Sequence, residues 1–147
     1  MKILFVCKGN VVRSFCADYF SNKFIKENKI NDIEISSAGT EAGNYDLTPE
    51  LKIYDELEID FSKHKQRKLS KEIINENDLI ISMDKYNQKF IKENFNVNSD
   101  LFNKFCYNKE EGIVNFHSED EIKETILHIK NSIPLFLNNI KNNHKRL

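Results

Sequence analysis

Apolar positions along the chain alternate between two patterns. Short apolar runs recur at 2–6 (Ile3, Leu4, Phe5, Val6) and at 78–83, the latter centred on Leu79, Ile80 and Ile81, and Ile33 to Ser37 reads as a further strand. Such runs are the pattern of strands buried on both faces. Between them apolar residues return at helical spacing. Ala17, Phe20, Phe24 and Ile25 follow Ser14 as a candidate cap, and the pattern ends near Asn28. Thr48-Pro49 opens a second helix as N-cap and first-turn proline, with Leu51, Ile53, Tyr54 and Leu57 inside it. A polar helix over 85–94 holds Phe90 and Ile91, and 101–106 is a weaker strand candidate. Ile122, Ile126, Ile129, Ile133, Phe136, Leu137 and Ile140 make an amphipathic C-terminal helix, which Pro134 is expected to kink or interrupt. Strand and helix therefore alternate. The expectation is a three-layer α/β fold, a four-stranded parallel sheet with helices on both faces. In such sheets ligands bind where strand C-termini meet helix N-termini, and the first such point runs from Cys7 to Ser14.

That segment reads Cys7-Lys8-Gly9-Asn10-Val11-Val12-Arg13-Ser14. A tight loop between a strand and a helix converges backbone N–H groups on one point, and the helix N-terminus adds positive potential. Gly9 can take a left-handed conformation and Asn10 tolerates one. Arg13 can fork two donors onto a tetrahedral oxyanion. Cys7 sits at the floor, where the same donors favour a thiolate. A thiolate beneath a held phosphate is a nucleophile in line with phosphorus.

Composition narrows the class. With 147 residues the chain is expected to form one domain over 1–147, large enough to fold without disulfide or metal. Its 22 Lys and Arg against 23 Asp and Glu give a net charge of −1, which argues against a nucleic-acid or membrane-surface protein. Nothing reads as a targeting segment or a membrane span. Three cysteines, Cys7, Cys16 and Cys106, read as reduced thiols of a cytoplasmic protein.

The segment resembles the phosphate loop of the low-molecular-weight protein tyrosine phosphatases, which also lies directly after the first strand. Four further stretches resemble that family in its order: Ile35-Ser36-Ser37-Ala38-Gly39-Thr40, Thr48-Pro49, the segment from Asp60 to Leu69 around His64 and Arg67, and Asp78-Leu79-Ile80-Ile81-Ser82-Met83-Asp84. The resemblance implies hydrolysis of protein phosphotyrosine, or of a small aryl phosphate, with no cofactor or metal; a tyrosine kinase is one protein substrate it admits. It implies Cys7 as the nucleophile that becomes phosphorylated and Arg13 as the stabiliser of the transition state. The loop Lys8, Gly9, Asn10, Val11, Val12, Arg13 and Ser14 would hold phosphate, with Ser14 bonded to the Cys7 thiolate. Asn10, Ser37 and His64 would form a network supporting the loop. Read without the resemblance, His64 is equally a solvated loop histidine among lysines.

The chain departs from the family at the general acid, an Asp in an Asp-Pro pair before the last helix. No Asp-Pro occurs, and the ungapped fit puts Asn115 there, followed by Phe116. An amide neither gives nor takes a proton near neutral pH, and losing a general acid costs about 10²–10⁴-fold in rate. Turnover is then slow, or His117, Glu119, Asp120 or the more remote Asp100 serves instead; Glu119 and Asp120 also suit a helix N-terminus. Val12 stands where many members carry a second cysteine, so their reversible disulfide is not expected, and Cys16 reads as packing. Tyr45 and Phe116 are candidates for the pocket's aromatic wall. Lys8 would put a positive charge at its mouth, or simply be solvated. Two alternatives remain: a phosphate-binding module with little catalysis, and a thiol-coupled arsenate reductase, for which Cys16 and Cys106 are poorly spaced.

Overall fold

In the computed structural model, residues 1–113, 116 and 118–144 are described. Four parallel strands, β1 (Lys2–Cys7), β2 (Glu34–Gly39), β3 (Leu79–Ser82) and β4 (Asp100–Leu101), lie in the order β2-β1-β3-β4. Around them are α1 (Arg13–Glu27), α2 (Thr48–Glu56), α3 (Lys71–Asn75), α4 (Lys85–Phe95), α5 (Phe102–Tyr107) and α6 (Glu119–His144). The registers run Phe5 opposite Ser37 and Cys7 opposite Gly39 on one side of β1, and Phe5 opposite Ile81 on the other.

Strand pleating sends alternate residues of β1 to opposite faces. Ile3, Phe5 and Cys7 join the larger core with residues of α1, α2, α5 and α6, where Phe5 lies 5.2 Å from Phe136, ring centre to ring centre. Leu4 and Val6 join the smaller core with Ile74 of α3 and Ile91 of α4. The sheet is thus covered on both faces. From β1 the chain crosses to β2 on one side, and the next crossing, to β3, lands on the other. The C-terminal end of β1 is therefore the switch point, where an α/β sheet opens a crevice.

Four expectations are corrected. The strand expected over 101–106 is two residues of β4 followed by α5, because Phe102 and Cys106 are spaced i, i+4 and are both buried. Ser14 caps nothing: α1 starts at Arg13 with Val12 as N-cap, and the Ser14 hydroxyl is spent on the loop. Thr48 is the first residue of α2 rather than its N-cap, and Asp46 accepts from both its N–H and its hydroxyl. Pro134 does not interrupt α6, which is helical throughout. It stands on the exposed face, where the carbonyl that loses its helical partner can turn to water. The short α3 was not anticipated; it is capped by Ser70, which accepts from the Ile73 N–H.

Candidate active site

The loop after β1 is tied outward carbonyl by carbonyl. Cys7 O accepts from the Thr40 N–H at 2.9 Å and Lys8 O from the Glu41 N–H at 2.8 Å. Gly9 O accepts from Gln66 Nε2 at 3.0 Å, Asn10 O bonds His64 Nε2 at 2.8 Å and Val11 O accepts from the Tyr54 hydroxyl at 2.6 Å. Every peptide among the described residues is trans. In a trans peptide the N–H points opposite to the carbonyl that precedes it. Five carbonyls pulled outward therefore turn the N–H groups of residues 8–12 away from those partners. The Asn10 N–H donates to Cys7 Sγ at 3.3 Å.

Asn10 is the pivot. Its φ is 57°, in the left-handed region that asparagine tolerates better than most residues, and it is fully buried. Each of its polar groups is used. Besides the backbone bonds, Nδ2 donates to Ser14 Oγ at 2.9 Å and Oδ1 accepts from the Arg67 N–H at 3.0 Å. Gly9 does not take the left-handed conformation expected of it. Its need is space: an added Cβ would stand 3.3 Å from the Tyr45 ring. Because a carbonyl can only accept, His64 Nε2 carries the proton in its bond to Asn10. The ring is half-buried and packs on Phe15 and Phe61, not in open solvent.

Ser14 Oγ lies 3.0 Å from Cys7 Sγ and 3.3 Å from Ala38 O. With Asn10 donating into it, its own proton can go to the sulfur or to that carbonyl. Arg13 is buried, and Nη1 donates to Asp84 Oδ2 at 2.6 Å and to Ile113 O at 2.8 Å. Asp84 also caps α4 through Oδ1, which accepts from the Asn87 N–H. One carboxylate thus fixes both the guanidinium and the helix behind it. Ser37 is not part of the contact between Asn10 and His64. It faces α1, where its hydroxyl donates to Asp18 Oδ2 at 2.7 Å. Burial, above all, holds the Asp18 carboxyl up, while the Ser37 bond and then His64 pull it back.

A second layer holds the loop. Gly39 N–H donates to Arg67 O and Leu69 N–H to Gly39 O, so 66–69 lies as a strap beside the end of β2. Gly39 itself allows no side chain: a Cβ would stand 2.6 Å from Lys8 O and 2.8 Å from Asn10 N.

The pocket above Cys7 has a volume of about 270 Å³. Lys8, Gly9, Val11, Val12 and Arg13 line one wall; Tyr45, Asp46, Leu47, Glu50 and Phe116 line the other. Both aromatic candidates are there. Lys8 lines the pocket; its side chain is half-exposed, and Nζ lies 3.7 Å from Glu41 Oε2.

The family model for low molecular weight phosphotyrosine protein phosphatases matches residues 2–146. The chain belongs to that family. Solved structures agree on the fold. The YwlE arginine phosphatase, as a mutant with a phosphorylated active site serine, has a TM-score of 0.85 at 20% identity, covering 96% of both chains. YwlE from Geobacillus stearothermophilus has a TM-score of 0.80 at 20% identity, covering 99% of this chain and 96% of its own. A low molecular weight protein tyrosine phosphatase from T. tengcongensis has a TM-score of 0.80 at 23% identity, covering 94% and 98%. No match was found among curated proteins.

Within this family frame the acid candidates separate. Asn115 and His117 lie outside the described residues. Glu119 and Asp120 are exposed on the first turn of α6, Asp100 is exposed on β4, and none of the three lines the pocket. Sequence reasoning missed Tyr54, Gln66 and the backbone of Arg67 as loop holders, although the stretch from Asp60 to Leu69 had been singled out as a whole. It also missed Asp84 as the Arg13 partner and Glu50 in the pocket wall. Cys16 and Cys106 are both buried, and burial pushes both thiols up, Cys106 to about 12.

Proposed function

We propose that the chain hydrolyses phosphomonoesters on protein phosphotyrosine through a phosphocysteine on Cys7, as a cytoplasmic enzyme. The observation that carries this reading is the bracketing of Cys7 Sγ by the Asn10 N–H and Ser14 hydroxyl, on the floor of a pocket that Arg13 lines. The inward N–H groups of the loop and Arg13 hold the phosphate oxygens. They also stabilise the charge that gathers on them as sulfur attacks phosphorus. Tyr45, Leu47 and Phe116 offer apolar surface to an aryl leaving group. Among the described residues no helix is long and apolar enough to cross a membrane.

A second reading takes phosphoarginine as substrate, as YwlE does by name. Asp46 favours it. Its carboxyl is held below the usual range by the Thr48 hydroxyl and N–H, so it stays ionised in the pocket wall, where it can pair a guanidinium. Buried, hard-to-ionise Cys16 and Cys106 do not favour the thiol relay of an arsenate reductase.

The test is steady-state hydrolysis of p-nitrophenyl phosphate, a phosphotyrosyl peptide and a phosphoarginyl peptide. The expected result is turnover of the first two that vanishes in Cys7→Ser. Preference for the phosphoarginyl peptide supports the second reading. Tight binding of phosphotyrosine without product release leaves a binding module.

A further inference from the structure

The missing Asp-Pro acid leaves proton transfer unassigned, and the pocket holds a carboxylate to which no role has been given. Among the described residues two carboxylates line the pocket with Cys7 and Arg13, namely Asp46 and Glu50. Asp46 is fully exposed, and its Oδ1 is committed to the start of α2. Held ionised, it has no proton to give near neutral pH. The nearby Asp84 has both oxygens in use, on Arg13 and on the Asn87 N–H. Glu41 at the rim pairs with Lys8 and accepts from the Tyr86 hydroxyl.

Glu50 differs from all three. It stands on the first turn of α2, and its Oε2 is shut off from solvent and, among the described residues, has no hydrogen-bond partner. An oxygen in that position is costly to leave unmatched. It lines the same pocket as Cys7 and Arg13.

We infer that Glu50 is the general acid and base of this chain, in the role left open at Asn115. The inference rests on the phosphocysteine reading above. In the first step Cys7 Sγ bonds to phosphorus and the P–O bond to the leaving group breaks. Its electron pair stays on the leaving oxygen, which takes the proton of the Glu50 carboxylic acid. In the second step the Glu50 carboxylate takes a proton from water as the water oxygen bonds to phosphorus. The P–S bond breaks, its electron pair returns to Cys7, and inorganic phosphate leaves. Glu50 is then protonated again, and the cycle is closed without a co-reactant.

The test compares two substrates on the full chain, because nitrophenolate leaves without a proton and phenolate does not. In Glu50→Gln, kcat/KM for phenyl phosphate should fall about 10²-fold or more, and for p-nitrophenyl phosphate by less than about tenfold. A burst of nitrophenol in the variant shows that Cys7 is still phosphorylated. A merely structural role for Glu50 would lower both substrates by the same factor, and that result, or no change in either, overturns the assignment while the phosphatase reading stands. A parent chain with neither burst nor turnover overturns both.

Discussion

The two walls of the pocket are built in opposite ways. The loop wall, Cys7 to Ser14, is held at nearly every polar atom: five successive carbonyls are tied outward, and Asn10 alone makes bonds to Cys7, Ser14, His64 and Arg67. The facing wall, 45–50, is sparsely tied. Tyr45 is 43% exposed and, among the described residues, its hydroxyl bonds only back to Glu41 O, four residues away, while Asp46 serves its own helix start. Two glycines four positions apart carry the contrast. A Cβ on Gly39 would collide with Lys8 O at 2.6 Å, whereas a Cβ on Gly43 meets nothing within 4 Å. The rigid wall fixes the chemistry at phosphorus. On the function proposed above, the leaving group would meet the loosely tied wall, so substrate choice and proton transfer could change there without disturbing the nucleophile.

The sharpest break of this contrast is at Arg13. Lysine keeps the charge but cannot reach Asp84 Oδ2 and Ile113 O with a planar fork while also facing the phosphate. Arg13→Lys should lower kcat/KM for p-nitrophenyl phosphate by about 10²–10³-fold. A loss under tenfold would mean that the loop N–H groups suffice and that the fork is a structural tie only.

The glycine pair gives the next largest effect. Gly39→Ala should push the end of β2 and the loop apart, costing about 1–3 kcal/mol in urea denaturation. A displaced loop of this kind should also lose about 10²-fold in kcat/KM. Gly43→Ala should change stability by no more than about 0.5 kcal/mol. Equal effects at the two positions would erase the distinction between the walls.

The same distinction explains what was legible beforehand. Cys7, Asn10, Arg13 and Ser14 lie in one continuous stretch, where the chemistry demands particular residue types at particular spacings, so the sequence displays them together. Tyr54 and Gln66 serve the loop by donating to its carbonyls. Any donor brought to the same point would serve, and only the packing of α2 and of the strap says which residue arrives there. Ser37 belonged to a recognisable motif, yet its hydroxyl turned to Asp18, because the strand's pleat and α1 decide its neighbour. The four-stranded sheet was readable from its apolar runs, whereas α5 was not. Leu101, Phe102, Phe105 and Cys106 fit a short buried strand as well as a helix, and periodicity over six residues cannot separate the two. Glu50 was invisible for a further reason. A charged residue on the first turn of an amphipathic helix reads as solvated, and only the fold turns that turn toward Cys7.

The smallest effect probes what stands behind the rigid wall. Asp18 holds the Ser37 hydroxyl, and burial keeps its carboxyl above the ordinary range despite the opposing pull of that bond, of His64 and of Arg67. A carboxyl raised by folding binds its proton more tightly in the folded chain than in the unfolded one. Stability from this group is therefore greatest at pH below the ordinary Asp value and declines as pH rises through that value to the raised one. Asp18→Asn removes the titration while keeping an oxygen for Ser37 to donate to. Urea midpoints of the two chains should thus diverge in favour of the variant as pH rises across that window, then run parallel above it. A gap that closes with rising pH would mean that His64 and Arg67 outweigh burial. The support behind the loop would then be an ionic cluster, and the rigid wall would soften with salt, as a hydrogen-bonded one would not.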